Sequence, residues 1–153
     1  MNAEVRLTER DGGTFPTSLN DGLNLRPRTR YNAHMYELTV EAQFDSAHCL
    51  RGYEGACENL HGHTYRVMVS YQGSELDHLG MLVDFKRLKK ELADIISYLD
   101  HQYLNDLPEF REQNPTAENV ARFVFEEMRK RLGDGVHRST VWETPTSAAS
   151  YSE

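Results

Sequence analysis

The chain has 153 residues and a formal net charge of -7, from 17 Lys and Arg against 24 Asp and Glu. Apolar residues make up 39% and aromatics 10%, which is too apolar for a disordered chain, while an acidic surface repels a phosphate backbone and argues against nucleic acid as a partner. No run approaches the roughly 20 apolar residues of a membrane helix, the first residues lack an apolar signal core, and two cysteines cannot form a disulfide scaffold, so a cytoplasmic protein without a membrane partner is expected.

Residues 1–33 are polar and rich in turn signals (Asp11-Gly12-Gly13, Pro16, Asn20-Asp21-Gly22, Pro27) with no sustained period. They read as an N-terminal extension, either a tail or an arm that packs on a neighbouring subunit through Leu23 and Leu25. The folded domain is expected over residues 34–153. From Tyr36 strict alternation places Leu38, Val40, Ala42, Phe44, Ser46 and His48 on one face of a half-buried strand. A glycine-containing loop, Leu50 to Leu60, leads to a second strand whose apolar face carries His61, His63, Tyr65, Val67, Val69 and Tyr71. Asp84 can cap a helix with Phe85, Leu88, Leu92, Ile95, Ile96 and Leu99 inward, ending near Asp100. Thr116 can cap a second helix with Val120, Phe123, Val124, Met128 and Leu132 inward, stopped by Gly133. Val136 to Thr144 and Ser147 to Tyr151 read as a hairpin. The order strand, strand, helix, helix, strand, strand predicts an α+β domain, an antiparallel sheet with two helices on one face.

Side chains two apart on a strand share a face, so His61 and His63 point the same way, and antiparallel pairing of the two strands brings His48 to them. Three imidazoles with a coordination position left open match a catalytic zinc; closed structural sites use four protein ligands and favour cysteine. Cys57, four residues before His61, then has two readings: a thiolate acting as base or nucleophile, or a fourth ligand that closes a non-catalytic structural zinc module. Asp100-His101 reads as a proton-transfer dyad or as a helix terminus with its solvated turn. Glu143, after the single tryptophan, either faces inward, where it can accept two parallel hydrogen bonds from an amidine-like heterocycle edge, or points outward as an ordinary strand residue. Cys49 is expected to be a small buried hydrophobe, and His34, His78 and His137 surface or turn residues.

The segments Phe44-Asp45-Ser46-Ala47-His48, Cys57-Glu58-Asn59-Leu60-His61-Gly62-His63, Leu99 to Asn105, Asn114 to Asn119 and Trp142-Glu143-Thr144 resemble, in order, the 6-pyruvoyl-tetrahydropterin synthase superfamily. The interval from Cys57 to His61-Gly62-His63 is similar to its bacterial branch, the 6-carboxy-tetrahydropterin synthases of queuosine biosynthesis. The resemblance implies that His48, His61 and His63 bind Zn2+, that Cys57 is the catalytic thiolate, that Asp100 and His101 form the second acid/base group, and that Glu143 anchors the pterin. Thr116 and Glu118 match a segment near the pterin pocket. The resemblance further implies the tunnelling fold, in which subunits join their sheets into a barrel, usually as a homohexamer with active sites between subunits. The implied substrate is 7,8-dihydroneopterin triphosphate, cleaved with loss of triphosphate and acetaldehyde; Arg51 and Arg66 are candidates for its phosphates. The alternatives are a pyruvoyl-type synthase or a pterin side-chain lyase on the same site. The extension over residues 1–33 has no counterpart in the pattern.

Overall fold

A computed structural model describes residues 35–153, so the extension and His34 lie outside the described residues. A four-stranded antiparallel sheet in the order β1 (Tyr36–His48), β2 (His61–Gly73), β3 (Val136–Thr144), β4 (Ser147–Tyr151) is covered on one face by α1 (Phe85–Leu99) and α2 (Ala117–Leu132). This is the arrangement expected from the periodicities. None of the described helices is long and apolar enough to cross a membrane.

The β1–β2 pair runs without interruption from Tyr36 opposite Gly73 to His48 opposite His61. That register stacks Phe44 on Tyr65, rings 4.8 Å apart, beneath the helices, and sets the histidines at the far end of the same face. β2 and β3 pair only from Tyr71 opposite Val136 to Arg66 opposite Trp142, with a bulge between Ser70 and Tyr71. Toward its beginning β2 therefore has a free edge on the β3 side.

Asp84 caps α1 by accepting a hydrogen bond from Lys86 N at 2.8 Å, which satisfies one of the donors a helix start leaves unpaired. Leu88, Leu92, Ile95, Ile96 and Leu99 are buried as the 3.6 period requires. Phe85 departs from that expectation: it is 47% exposed, at the first position of the helix. In α2 the buried stripe is Val120, Ala121, Val124, Phe125 and Met128, and Phe123 is only half buried. Phe125 turns inward because β4 lies beneath it, its ring 5.2 Å from that of Tyr151. This contact is set by the sheet and not by the helix period alone.

After α1 the chain doubles back along the outer edge of β1. His101 N donates to Asp45 O at 2.7 Å, Ala47 N to Gln102 O at 3.0 Å, and Ser46 Oγ to Leu99 O at 2.5 Å. His101 has φ 57°, the left-handed conformation that reverses the chain here. The edge of β1 next to the histidines is thereby covered.

Candidate metal centre

His48, His61, His63 and Glu143 form a group whose donor atoms all lie within 4.8 Å of one another, a set able to hold a metal ion. Three members come from the end of the β1–β2 ladder. Glu143 arrives from β3, where a register shift between Trp142 and Thr144 carries it over the free edge of β2. Its Oε1 lies 3.1 Å from His48 Nε2 and 3.3 Å from His63 Nε2, so the carboxylate faces inward.

The hydrogen bonds fix the tautomers. His48 Nδ1 is 2.8 Å from Pro115 O and His61 Nδ1 is 2.7 Å from Asn59 O. A carbonyl can only accept, so both Nδ1 atoms carry protons, and in the neutral rings each Nε2 is left as a bare lone pair. Those two Nε2 atoms are 3.0 Å apart. Two lone pairs at this distance repel, and a cation between them turns repulsion into ligation. The buried His63 Nε2 has no hydrogen-bond partner, Glu143 Oε1 lying outside hydrogen-bond geometry. An orphaned buried imidazole nitrogen beside two bare ones and a carboxylate is the donor chemistry of a site for a divalent cation of intermediate softness.

Burial holds the His63 imidazole below its ordinary range; the nearby Glu143 carboxylate opposes this, and His48 and His61 add to it. The ring is thus kept neutral, as a ligand must be. Burial, followed by the Glu143 charge, pushes the Tyr65 phenol far up, so it remains a neutral wall of the site, its hydroxyl 3.3 Å from His48 Nδ1.

The remaining candidates are distributed around this centre. Cys57 sits half-buried in a 3-10 turn, Ala56–Glu58, between β1 and β2, and its thiol is not a member of the four-donor group. Asp100 and His101 are joined at 2.9 Å, but they belong to a separate cluster with Asp45 on the outer edge of β1. Asp45 N donates to Asp100 Oδ1 at 2.9 Å; that bond first, then the one from His101, holds the Asp100 carboxyl below the usual carboxylate range. His63 and His101 both border a depression of about 580 Å³ at this end of the sheet. Thr116 caps α2, its hydroxyl accepting from Asn119 N at 3.4 Å, and Glu118 is exposed in the first turn. Their segment reaches the centre through the Pro115 carbonyl.

Several expectations are revised. Cys49 is half exposed, its Sγ 3.1 Å from Tyr103 Oη, because β1 ends at His48 and its alternation no longer applies. His78 is an exposed turn residue as expected, but His137 is a half-buried residue of β3. Arg51, a candidate for phosphate, donates to the carbonyls of Phe110 and Gln113 at 2.5 and 2.6 Å and so clamps a loop. Sequence reasoning also missed Asn105, whose side chain makes both its hydrogen bonds to the backbone of Cys49. No periodicity marks such a residue; an asparagine in the Leu99-to-Asn105 segment is the only trace.

Comparison with known proteins places these features. The model of the family "6-pyruvoyl tetrahydropterin synthase" matches residues 37–153. A 6-carboxy-5,6,7,8-tetrahydropterin synthase of Haemophilus influenzae is 33% identical over 142 residues, covering 78% of this chain and all of that one. A dihydroneopterin monophosphate aldolase of Pyrococcus furiosus is 38% identical over 108 residues, covering 69% of this chain and 88% of that one. Among solved structures, the 6-pyruvoyl tetrahydropterin synthase of Caenorhabditis elegans superposes with a TM-score of 0.71 at 27% identity, covering 78% of this chain and 96% of the other.

Proposed function

The chain belongs to the 6-pyruvoyl tetrahydropterin synthase family, and from that premise we propose that it converts 7,8-dihydroneopterin triphosphate and water to 6-carboxy-5,6,7,8-tetrahydropterin, triphosphate and acetaldehyde, as a zinc enzyme of queuosine biosynthesis in the cytoplasm. The observation that carries this reading is the pair of bare Nε2 atoms of His48 and His61, 3.0 Å apart and flanked by the orphaned Nε2 of His63. The curated relatives named 6-carboxy-5,6,7,8-tetrahydropterin synthase support it over most of the chain.

His48, His61 and His63 would hold the zinc, which supplies Lewis acidity toward the hydroxyls of the substrate side chain. Cys57, in the turn before β2, would take a proton from the side-chain carbon. Glu143, half exposed beside the histidines, leaves them to accept the two parallel N–H donors of the pterin edge. Asp100 and His101 form a donor group separate from the histidines within one chain, and we place the complete site between subunits, with the dyad of one copy serving the histidines of the next in a barrel-forming homohexamer. Thr116 and Glu118, at the α2 start, would contribute to binding the ring, and residues 1–33 would be an extension outside the catalytic domain over 34–153.

A second reading has its own support in the 38% identity to the aldolase of Pyrococcus furiosus: side-chain cleavage to a hydroxymethylpterin. The test is to incubate the metal-loaded protein with dihydroneopterin triphosphate and identify the products by mass. Acetaldehyde and a carboxylated tetrahydropterin support the synthase reading; glycolaldehyde would replace it with the lyase, and a diketone side chain with the pyruvoyl-type synthase.

A further inference from the structure

Beyond the Arg66–Trp142 pair the two strands separate: the first residues of β2 pair only with β1, and β3 bends away through its register shift toward β4. A cavity of about 570 Å³ fills the gap, with His63 and Thr64 on one wall, Glu143 and Thr144 on the other, and Arg66 with Trp142 where the strands meet. Its size suits a small ligand, and it shares His63 and Glu143 with the metal centre.

Arg66 is the unusual member. Its guanidinium carbon lies 3.9 Å from the centroid of the Trp142 ring. Elsewhere Arg122, Arg129 and Arg131 meet carboxylates and Arg51 is committed to backbone carbonyls. The half-buried Arg66 side chain has neither kind of partner among the described residues. Stacking engages the face of a guanidinium and leaves its in-plane N–H donors free, so the indole orients a fork that still lacks an acceptor. Taking such a cation part-way out of water without an anion is unfavourable, and a bidentate oxyanion is what the fork geometry satisfies.

We propose that Arg66, oriented by Trp142, binds the phosphate chain of the substrate. The assignment rests on the reading above that the substrate is a phosphorylated pterin. The chain carries a net charge of -7, and the opposite wall of the cavity presents the Glu143 carboxylate. A polyanion therefore needs a local cation to enter this cavity, and Arg66, which alternates to the other face of β2 from His63, lines the same cavity as His63 and Glu143. Thr144 adds a neutral hydroxyl on the β3 side, while the Thr64 hydroxyl already donates to Asp45 Oδ1 at 2.5 Å.

The experiment compares wild type, Arg66→Gln and Arg66→Lys, all metal-loaded. Inorganic tripolyphosphate binding by calorimetry is expected to weaken about tenfold or more in Arg66→Gln, the loss of one charge-assisted bidentate contact, and to recover partly in Arg66→Lys. The KM for dihydroneopterin triphosphate should rise by a similar factor, with metal content, oligomeric mass and binding of unphosphorylated neopterin unchanged. Equal tripolyphosphate binding by wild type and Arg66→Gln overturns the proposal. So does a change of oligomeric mass, which would pair the guanidinium with a neighbouring subunit, or a parallel loss of neopterin binding, which would assign it to the ring. If wild type binds tripolyphosphate through Arg66 but does not turn over the pterin, the proposed reaction falls and the anion site stands.

Discussion

Asn105 holds Cys49 in place with two hydrogen bonds, accepting from Cys49 N and donating to Cys49 O, each at 2.9 Å. The amide thus imitates one residue of a neighbouring strand, continuing the pairing of β1 one step past His48. It is 6% exposed and connects the loop after α1 to the residue next to a candidate metal ligand.

Replacing it should loosen both. Asn105→Ala leaves the part-buried N–H and C=O of Cys49 without partners, a cost of about 1 kcal/mol. The expected outcome is a melting temperature several degrees lower and weaker metal retention during dialysis against a chelator. An unchanged melting temperature would show that Asn105 is not a structural tie.

The facing Nε2 atoms of His48 and His61 make the metal assignment directly testable. His61→Ala should drop the metal content of purified protein from about one ion per chain to near zero, while His78→Ala, an exposed turn residue, should keep it. Mass spectrometry with metal analysis by plasma emission reads both. Full zinc in His61→Ala would remove the histidine centre.

Cys57 separates an enzyme from a closed structural site. Because its thiol lies outside the four-donor group, Cys57→Ala should retain metal and melting temperature and lose turnover by two or more orders of magnitude, the scale of a missing proton-transfer group. Loss of metal together with unfolding would restore sulfur as a ligand.

The strand faces were legible because period-two alternation and an apolar core leave one register, and that register alone brings His48, His61 and His63 together. Both helices were legible from their caps and stripes. The approach of Glu143 to the histidines was not, since it depends on a register shift near the end of β3. The placement of Asp100 and His101 in a donor group separate from the histidines depends on a left-handed residue that directs the chain along the outer side of β1. Arg51 and Arg66 are indistinguishable as letters; one is committed to carbonyls and the other stacks on an indole beside the metal centre. Each of these outcomes is decided by contacts between residues far apart in the chain, for which local pattern carries no signal.

Acid should weaken the tie between β1 and the segment after α1. The Asp45 N–H and His101 hold the Asp100 carboxyl below its ordinary range. A carboxyl depressed in the folded state contributes stability above its unfolded value, roughly pH 4, and loses it as pH falls through the lower folded value. Asp100→Asn, which keeps an acceptor for Asp45 N but no charge, should unfold more readily than wild type at pH 7, with the gap closing below about pH 4. Chemical denaturation at stepped pH measures this, and a gap that is independent of pH would remove the charge from the account.

Glu143 decides whether the centre keeps a position free for substrate. Its Oε1 lies 3.1 Å from His48 Nε2 and 3.3 Å from His63 Nε2, close enough to serve as a fourth donor, yet it lines the cavity that also holds Arg66 and Trp142. As a ring anchor it must accept two N–H donors, which a carboxylate does and an amide does with only one oxygen. Glu143→Gln should then keep zinc at one per chain, weaken neopterin binding about tenfold or more, and leave tripolyphosphate binding intact. As a fourth ligand it would instead cost metal affinity in Glu143→Gln, since a neutral amide oxygen is a poorer donor to a divalent ion than a carboxylate. Metal content and neopterin affinity measured on one preparation distinguish the two, because only the anchor role separates ring binding from metal binding.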